Sequence, residues 1–173
     1  MVVSTSDRTL APRSAVGPLG PAIDRLERLH ADLRARRDEL RRLHAHLTAG
    51  HGAPLAELFD EVEAVLGAHL AKEGRVIVPY LRGLERGRPE RTELPSLDVA
   101  LQILTGEHKR LRDVVATLGA RLAAIADACA ACAVAYTTAL HLATALSGHR
   151  TFVTDTLYPL ALARERQLAS AAP

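Results

Sequence analysis

Aromatic side chains are scarce in this 173-residue chain: two Phe, three Tyr and no Trp, 3% in all. Sheets draw on aromatic and β-branched residues, so a composition led by Ala, Leu and Arg argues for helices instead. Cysteine is rarer still. Two cysteines make no disulfide framework, and a chain of this length can bury a full core without one. Charge of one sign is also missing, the net charge being only +2. Although the isoelectric point is about 8.8, bases and acids are interspersed, as in Arg25, Glu27, Arg28 and Asp32. That pattern reads as solvated helix faces and leaves no dedicated nucleic-acid surface. No apolar run approaches the roughly 18 residues of a membrane span, and no signal-peptide core is seen, so a cytoplasmic protein without membrane contact is expected. What the chain does have is eight histidines with no tag-like run, and some of them must lie inside.

Residues 1–20 carry Ser, Thr, Pro and Gly without periodicity and read as a flexible N-terminal arm. From Ile23 the spacing turns helical: Ile23, Leu26, His30, Leu33, Arg37, Leu40, His44 and Leu47 alternate by three and four, enough for about seven turns. Thr48 to Pro54 reads as a turn. A second helix starts near Pro54, with a seam of Leu55, Leu58 or Phe59, Val62, Leu66, His69, Glu73, Val76 and Tyr80. Pro79 is expected to kink it, before Gly83, Gly87 and Pro89 open a polar connection to about Pro95. The third helix, capped by Ser96, has the cleanest period: Leu101, Leu104, His108, Leu111, Val115, Leu118, Leu122 and Ile125. After a break around Asp127 to Cys132, a fourth carries Ala135, Leu142, Leu146, His149, Val153, Leu157 and Leu160, and the tail from Glu165 is expected to fray. These elements predict an all-α, up-down-up-down four-helix bundle over residues 21–165, with residues 166–173 as a frayed tail.

Each of the four seams is interrupted by one histidine, and the interruptions repeat. His30 to His108 is 78 residues, while His69 to His149 and Pro79 to Pro159 are both 80. The second helix pair therefore reads as a copy of the first, a duplicated hairpin whose pseudo-twofold packing would bring four histidines to one level. His69 and Glu73 stand four apart and leave one face of their helix together. An ionisable pair inside an apolar stripe is costly unless compensated, and a metal ion would compensate it.

His30, His69 with Glu73, Glu107-His108 and His149, together with Pro79 and Pro159, resemble the hemerythrin-like family, the HHE cation-binding domain, over residues 23–163. The resemblance implies a non-haem di-iron site in which His30 and His149 ligate one metal, His69 and His108 the other, and Glu73 bridges them. Imidazole and carboxylate suit iron and leave other divalent metals open, whereas neither cysteine lies level with the histidines. It further implies reversible binding or sensing of a small diatomic ligand, dioxygen or nitric oxide. A di-iron redox enzyme, acting on peroxide or oxygen or repairing iron centres, is the alternative, and steady turnover would separate it from stoichiometric binding. A third reading is a metal-free helical interaction module with a decayed site. Oligomeric state is left open.

The chain departs from the family pattern at Val153, where relatives carry a second carboxylate four or five residues after the fourth-helix histidine. One missing negative charge weakens the hold on a second metal. Asp155 lies about 120° off the face of His149 on a regular helix and needs a local bulge to reach inward. Val65, Leu66, Leu104, Leu111, Phe152 and Val153 are expected to make a dry lining suited to a neutral diatomic. Glu107 and Arg112 are candidates for groups supporting the ligands. Tyr80 and Tyr158 are read as helix-end packing, and Cys129 and Cys132 as small residues packed at a helix start. His44 sits about 21 Å along the helix from His30 and His141 is eight residues before His149, both too distant for the same centre. His46 and His51 are expected in solvent or a loop.

Overall fold

Leucine at every third or fourth position, with few residues that break helices, gives rods packed along their apolar seams. The computed structural model describes residues 18–51, 53–88 and 96–171, and no strand occurs among them. The first rod is α1 (Leu19–His51). The second joins α2 (Ala53–Lys72) through a π-helical turn (Glu73–Ile77) to α3 (Val78–Glu85). The third is α4 (Leu97–Ala123), followed by a short 3₁₀ turn (Ala126–Ala128). The fourth joins α5 (Ala130–Phe152) through a π-helical turn (Val153–Leu157) to α6 (Tyr158–Ala171). Each rod packs on the next, and the fourth packs back on the first, which closes a helical bundle.

The ends of the rods differ from expectation in instructive ways. α1 begins at Leu19, two residues inside the stretch read as an arm, because the Leu19 side chain is buried against the core; residues 1–17 lie outside the described residues. The expected turn from Thr48 to Pro54 is almost absent, since α1 runs to His51 and α2 starts at Ala53. α3 stops in a Schellman motif: Gly87 takes φ +70°, its N–H reaches Leu84 O, and the Arg88 N–H reaches Gly83 O. Most of the polar connection that follows, residues 89–95, is outside the described residues. Ser96 caps α4 as expected, its hydroxyl accepting from the Val99 N–H at 3.2 Å. The cysteines do more than pack: they form a Cys129–Cys132 disulfide, and Cys129 Sγ caps α5 by accepting from the Cys132 N–H.

Residues 166–171, read as part of a frayed tail, are helical. α6 continues to Ala171 because it is tied to α3: Tyr80 donates to Glu165, the Arg164 Nε donates to Leu84 O at 3.2 Å, and Leu168 packs on the core. The run Ala130–Ala171 is also long and apolar enough, by length and composition, to cross a membrane, where no such run was expected. In the bundle its Cys132, Ala135, Ala139, Leu142 and Leu146 face the core.

Each repeat proline is preceded by a π turn. In both rods the N–H just before the proline spans five residues, Val78 to Glu73 O and Tyr158 to Val153 O. Pro79 and Pro159 follow at once and have no N–H to give. The wide turn absorbs the missing donor, and a turn closed i to i+5 holds about one residue more than an α turn.

The core has two apolar clusters. One gathers Leu33, Leu66, Leu70, Leu111 and Leu146, and the other Leu26, Ile77, Leu104, Phe152 and Val153. Every rod passes from one cluster to the other at its histidine. α1 and α4 enter the histidine level from the second cluster, whereas α2 and α5 enter it from the first. The seam that makes the bundle thus also places one polar layer between two dry ones.

Candidate metal centre

The polar layer consists of His30 from α1, His69 and Glu73 from the end of α2 and its π turn, His108 from α4 and His149 from α5. All five are buried, Glu73 and His149 completely. They meet in two imidazole pairs. His30 Nε2 lies 3.2 Å from His149 Nε2, and His69 Nε2 lies 3.1 Å from His108 Nε2. Glu73 stands between the pairs. Its Oε2 is 2.7 Å from His30, 3.0 Å from His149 and 3.5 Å from His69, while Oε1 is 3.9 Å from His108. Ligand atoms of His69, Glu73, His108 and His149 all fall within 4.8 Å of one another, and His30 joins through Glu73 and His149.

One contact of the layer was not foreseen. Tyr158, read as helix-end packing, is buried and donates its hydroxyl to Glu73 Oε1 at 3.0 Å. Tyr80, on the other rod, is held by Glu165 and makes no contact with the layer. Glu107 supports the site as the sequence suggested: its Oε2 lies 3.2 Å from His69 Nδ1, and its other oxygen is bound by Lys72. Arg112 does not, being paired with Asp113 at 2.8 Å on its own helix.

At the place of the missing carboxylate Val153 is fully buried among apolar neighbours. A bulge is present there, yet Asp155 is exposed, because the π turn carries it away from the layer. The dry lining forms as expected from Leu66, Leu104, Leu111 and Phe152, with Val65 only partly buried. Of the other histidines, His44 stacks on Phe59 with ring centroids 5.1 Å apart, and His46 and His141 are exposed. The side chain of His51 lies outside the described residues.

Charge in the layer is sorted without protons to spare. Burial opposes ionisation of Glu73, but hydrogen bonds from His149 and His30 outweigh it and hold the carboxyl well below the usual range. Burial pushes His108 down to about 3, helped by His69, and it lowers His69 too, against the pull of Glu73. Burial and then the charge of Glu73 push the Tyr158 phenol upward, so it remains a donor. Burial also opposes ionisation of Glu107, which Lys72 and His69 nevertheless hold below the usual carboxylate range.

These residues fit a metal. Two imidazole nitrogens facing each other at 3.1 or 3.2 Å cannot both present lone pairs unless a proton or a cation shares them. A carboxylate with neutral imidazoles is the deprotonated nitrogen and oxygen donor set that iron takes, and that zinc, manganese or copper also accept. Thiolate plays no part, since Cys129 and Cys132 are bonded to each other about 30 Å along α5 from His149. The outer edges of the rings differ: His69 leans on Glu107, whereas Nδ1 of His108 and of His149 is buried with no partner among the described residues.

Comparison with known families agrees with this geometry: the model of the Hemerythrin HHE cation binding domain matches residues 22–161. No curated protein and no solved structure matches the chain.

Proposed function

Because the chain belongs to the hemerythrin HHE cation-binding family, we propose that it is a non-haem iron protein that reversibly binds or senses dioxygen or nitric oxide. The observation that carries this reading is the position of Glu73 between two facing imidazole pairs in a sealed polar layer. His30 and His149 would hold one iron and His69 and His108 the other, with Glu73 as the carboxylate shared between the pairs. Iron so held would supply redox-active coordination positions for a diatomic ligand. The chain does the rest: the two apolar clusters exclude bulk water, Glu107 orients His69, and Tyr158 fixes the plane of the Glu73 carboxylate.

With Val153 in place of a second carboxylate, the layer offers one negative charge to two cations, and the second metal binds more weakly than the first. In this reading the bundle runs up-down-up-down and descends from a duplicated hairpin. The alternating order of the apolar clusters and the two π turns, each just before a proline, support that origin.

Metal analysis after iron-replete expression, paired with aerobic and anaerobic absorption spectra, tests the proposal. A pair of irons per chain, and near-ultraviolet and visible bands that change with oxygen or nitric oxide, are expected. Iron below about 0.3 per chain, where a functional site should fill, sinks it.

A further inference from the structure

Between α4 and α5, beside the histidine layer and outside it, lies a cavity of about 150 Å³. Its two ends differ in chemistry. Along α4 the wall runs from His108 through Arg112 to Val115 and Ala116; along α5 it runs from Arg150 through Ser147 and Leu146 to Ala143. The rings of His108 and His149 are 5.1 Å apart, so His108, Arg112, Ser147 and Arg150 gather at the end nearest the layer. Val115, Ala116, Ala143 and Leu146 make the opposite end apolar.

The polar end carries more donors than acceptors. Arg150 has no ion pair among the described residues. Arg112 uses Nε and Nη2 on Asp113, an exposed carboxylate, and its Nη1 has no partner among the described residues. His108 also lines the space, but its Nε2 faces His69 and its Nδ1 is buried, so the donors that reach the space are those of the two arginines. Two guanidiniums around one small space call for an anion with at least two acceptor oxygens. The apolar end calls for a short hydrocarbon body, and the volume admits about six non-hydrogen atoms.

We propose that this cavity binds a short-chain monocarboxylate, of the size of propionate or butyrate, with its carboxylate between Arg150 and Arg112 and its carbons against Val115, Ala143 and Leu146. Sequence reasoning favoured a neutral diatomic because the residues flanking the histidines are apolar; the two arginines open a separate, charged site on the outer edge of one ring. Binding of the carboxylate does not rest on the function proposed above.

Calorimetric titration of the full chain with sodium butyrate, in iron-loaded and chelator-treated forms, tests the proposal, with sodium chloride and neutral butyramide as comparisons. Saturable binding of butyrate alone is expected in both forms. Arg150→Gln should weaken it roughly tenfold, the loss of one charge-assisted contact. Ala143→Phe should abolish it by filling the apolar end, and Arg121→Gln, a cation elsewhere on α4, should leave it unchanged. Butyrate binding no better than chloride overturns the proposal, as does binding indifferent to both Arg150→Gln and Ala143→Phe. Binding that requires iron and survives Arg150→Gln puts the carboxylate on the metal and overturns it too. A chain that binds butyrate but no iron refutes the function proposed above and leaves this site standing.

Discussion

The Tyr158 hydroxyl donates a 3.0 Å hydrogen bond to Glu73 Oε1, the oxygen that His30 and His149 do not take. With this contact the buried carboxylate has donors on both oxygens, and both rods that contain π turns contribute to it. Tyr158→Phe removes one donor and nothing else of size. Urea unfolding of the metal-free protein is expected to show a loss of about 1–2 kcal/mol. Iron affinity should fall about 10- to 100-fold, because the bridging carboxylate loses the group that orients it. An unchanged affinity would mean that the phenol is structural only.

Why Tyr158 escaped the sequence reading is a matter of phase. Nine residues after His149, a regular helix puts a side chain on the opposite face, about 180° away. The π turn from Val153 to Leu157 holds one extra residue, which brings Tyr158 back toward the layer. The same turn carries Asp155 outward and so defeats the idea that a bulge would recruit it. By contrast His30 and His108 lie on rods without a π turn, and His69, Glu73 and His149 precede the π turns or sit at their start, so the 3.6-residue period still holds for all five and their convergence was legible. Glu107 was legible only as a neighbour of His108. Its partner His69 is on another rod, and such pairings follow from packing and not from spacing. Gly17 to Pro21 misled at the N-terminus, because Pro21 fits the first turn of a helix and Leu19 has a core to bury into.

Val153→Glu tests the missing bridge. Val153 is fully buried in the second apolar cluster, so without metal an added carboxylate is a charge in a dry site and should destabilise the protein by several kcal/mol. Metal reverses the sign locally, since the new carboxylate faces cations. Iron content is therefore expected to rise, and the gap in melting temperature between iron-loaded and chelated protein to widen. Destabilisation with no gain in iron would show that position 153 does not face the metals.

Glu107→Ala separates orientation from ligation. Glu107 is partly exposed and holds His69 Nδ1 at 3.2 Å while binding Lys72. Its removal should leave the thermal stability of the metal-free protein within about 1 kcal/mol, as for other partly exposed pairs. Metal affinity should still drop about tenfold or more, because the His69 ring loses its anchor. Competition with a chromophoric chelator measures the second quantity, and a stability loss without an affinity loss would contradict the assigned role.

The disulfide makes a prediction independent of metal. Cys129 and Cys132 enclose the first turn of α5, and Cys129 also caps it, about 30 Å from His149. Reduction by a dithiol, or Cys129→Ala, should lower stability by about 1–2 kcal/mol through the shortest of loops and the lost cap. Iron content and spectra should not move. A change in either would show that the start of α5 and the metal level are coupled along the helix.

Glu73→Gln is the sharpest test of the centre because it keeps the shape and removes the charge. In the metal-free protein the carboxylate accepts from His30, His149 and Tyr158, and Gln offers one acceptor oxygen and an NH₂ in its place. One imidazole can turn its lone pair to that NH₂, so stability should change by no more than about 2 kcal/mol, in either direction. Metal binding has no such escape. Four neutral imidazoles would be left to balance the cations with no anionic bridge, and iron is expected to fall to less than about a tenth of the parent value. Retention of iron by Glu73→Gln, measured on protein shown by its melting curve to be folded, would mean that the imidazole pairs hold their metal without the carboxylate between them.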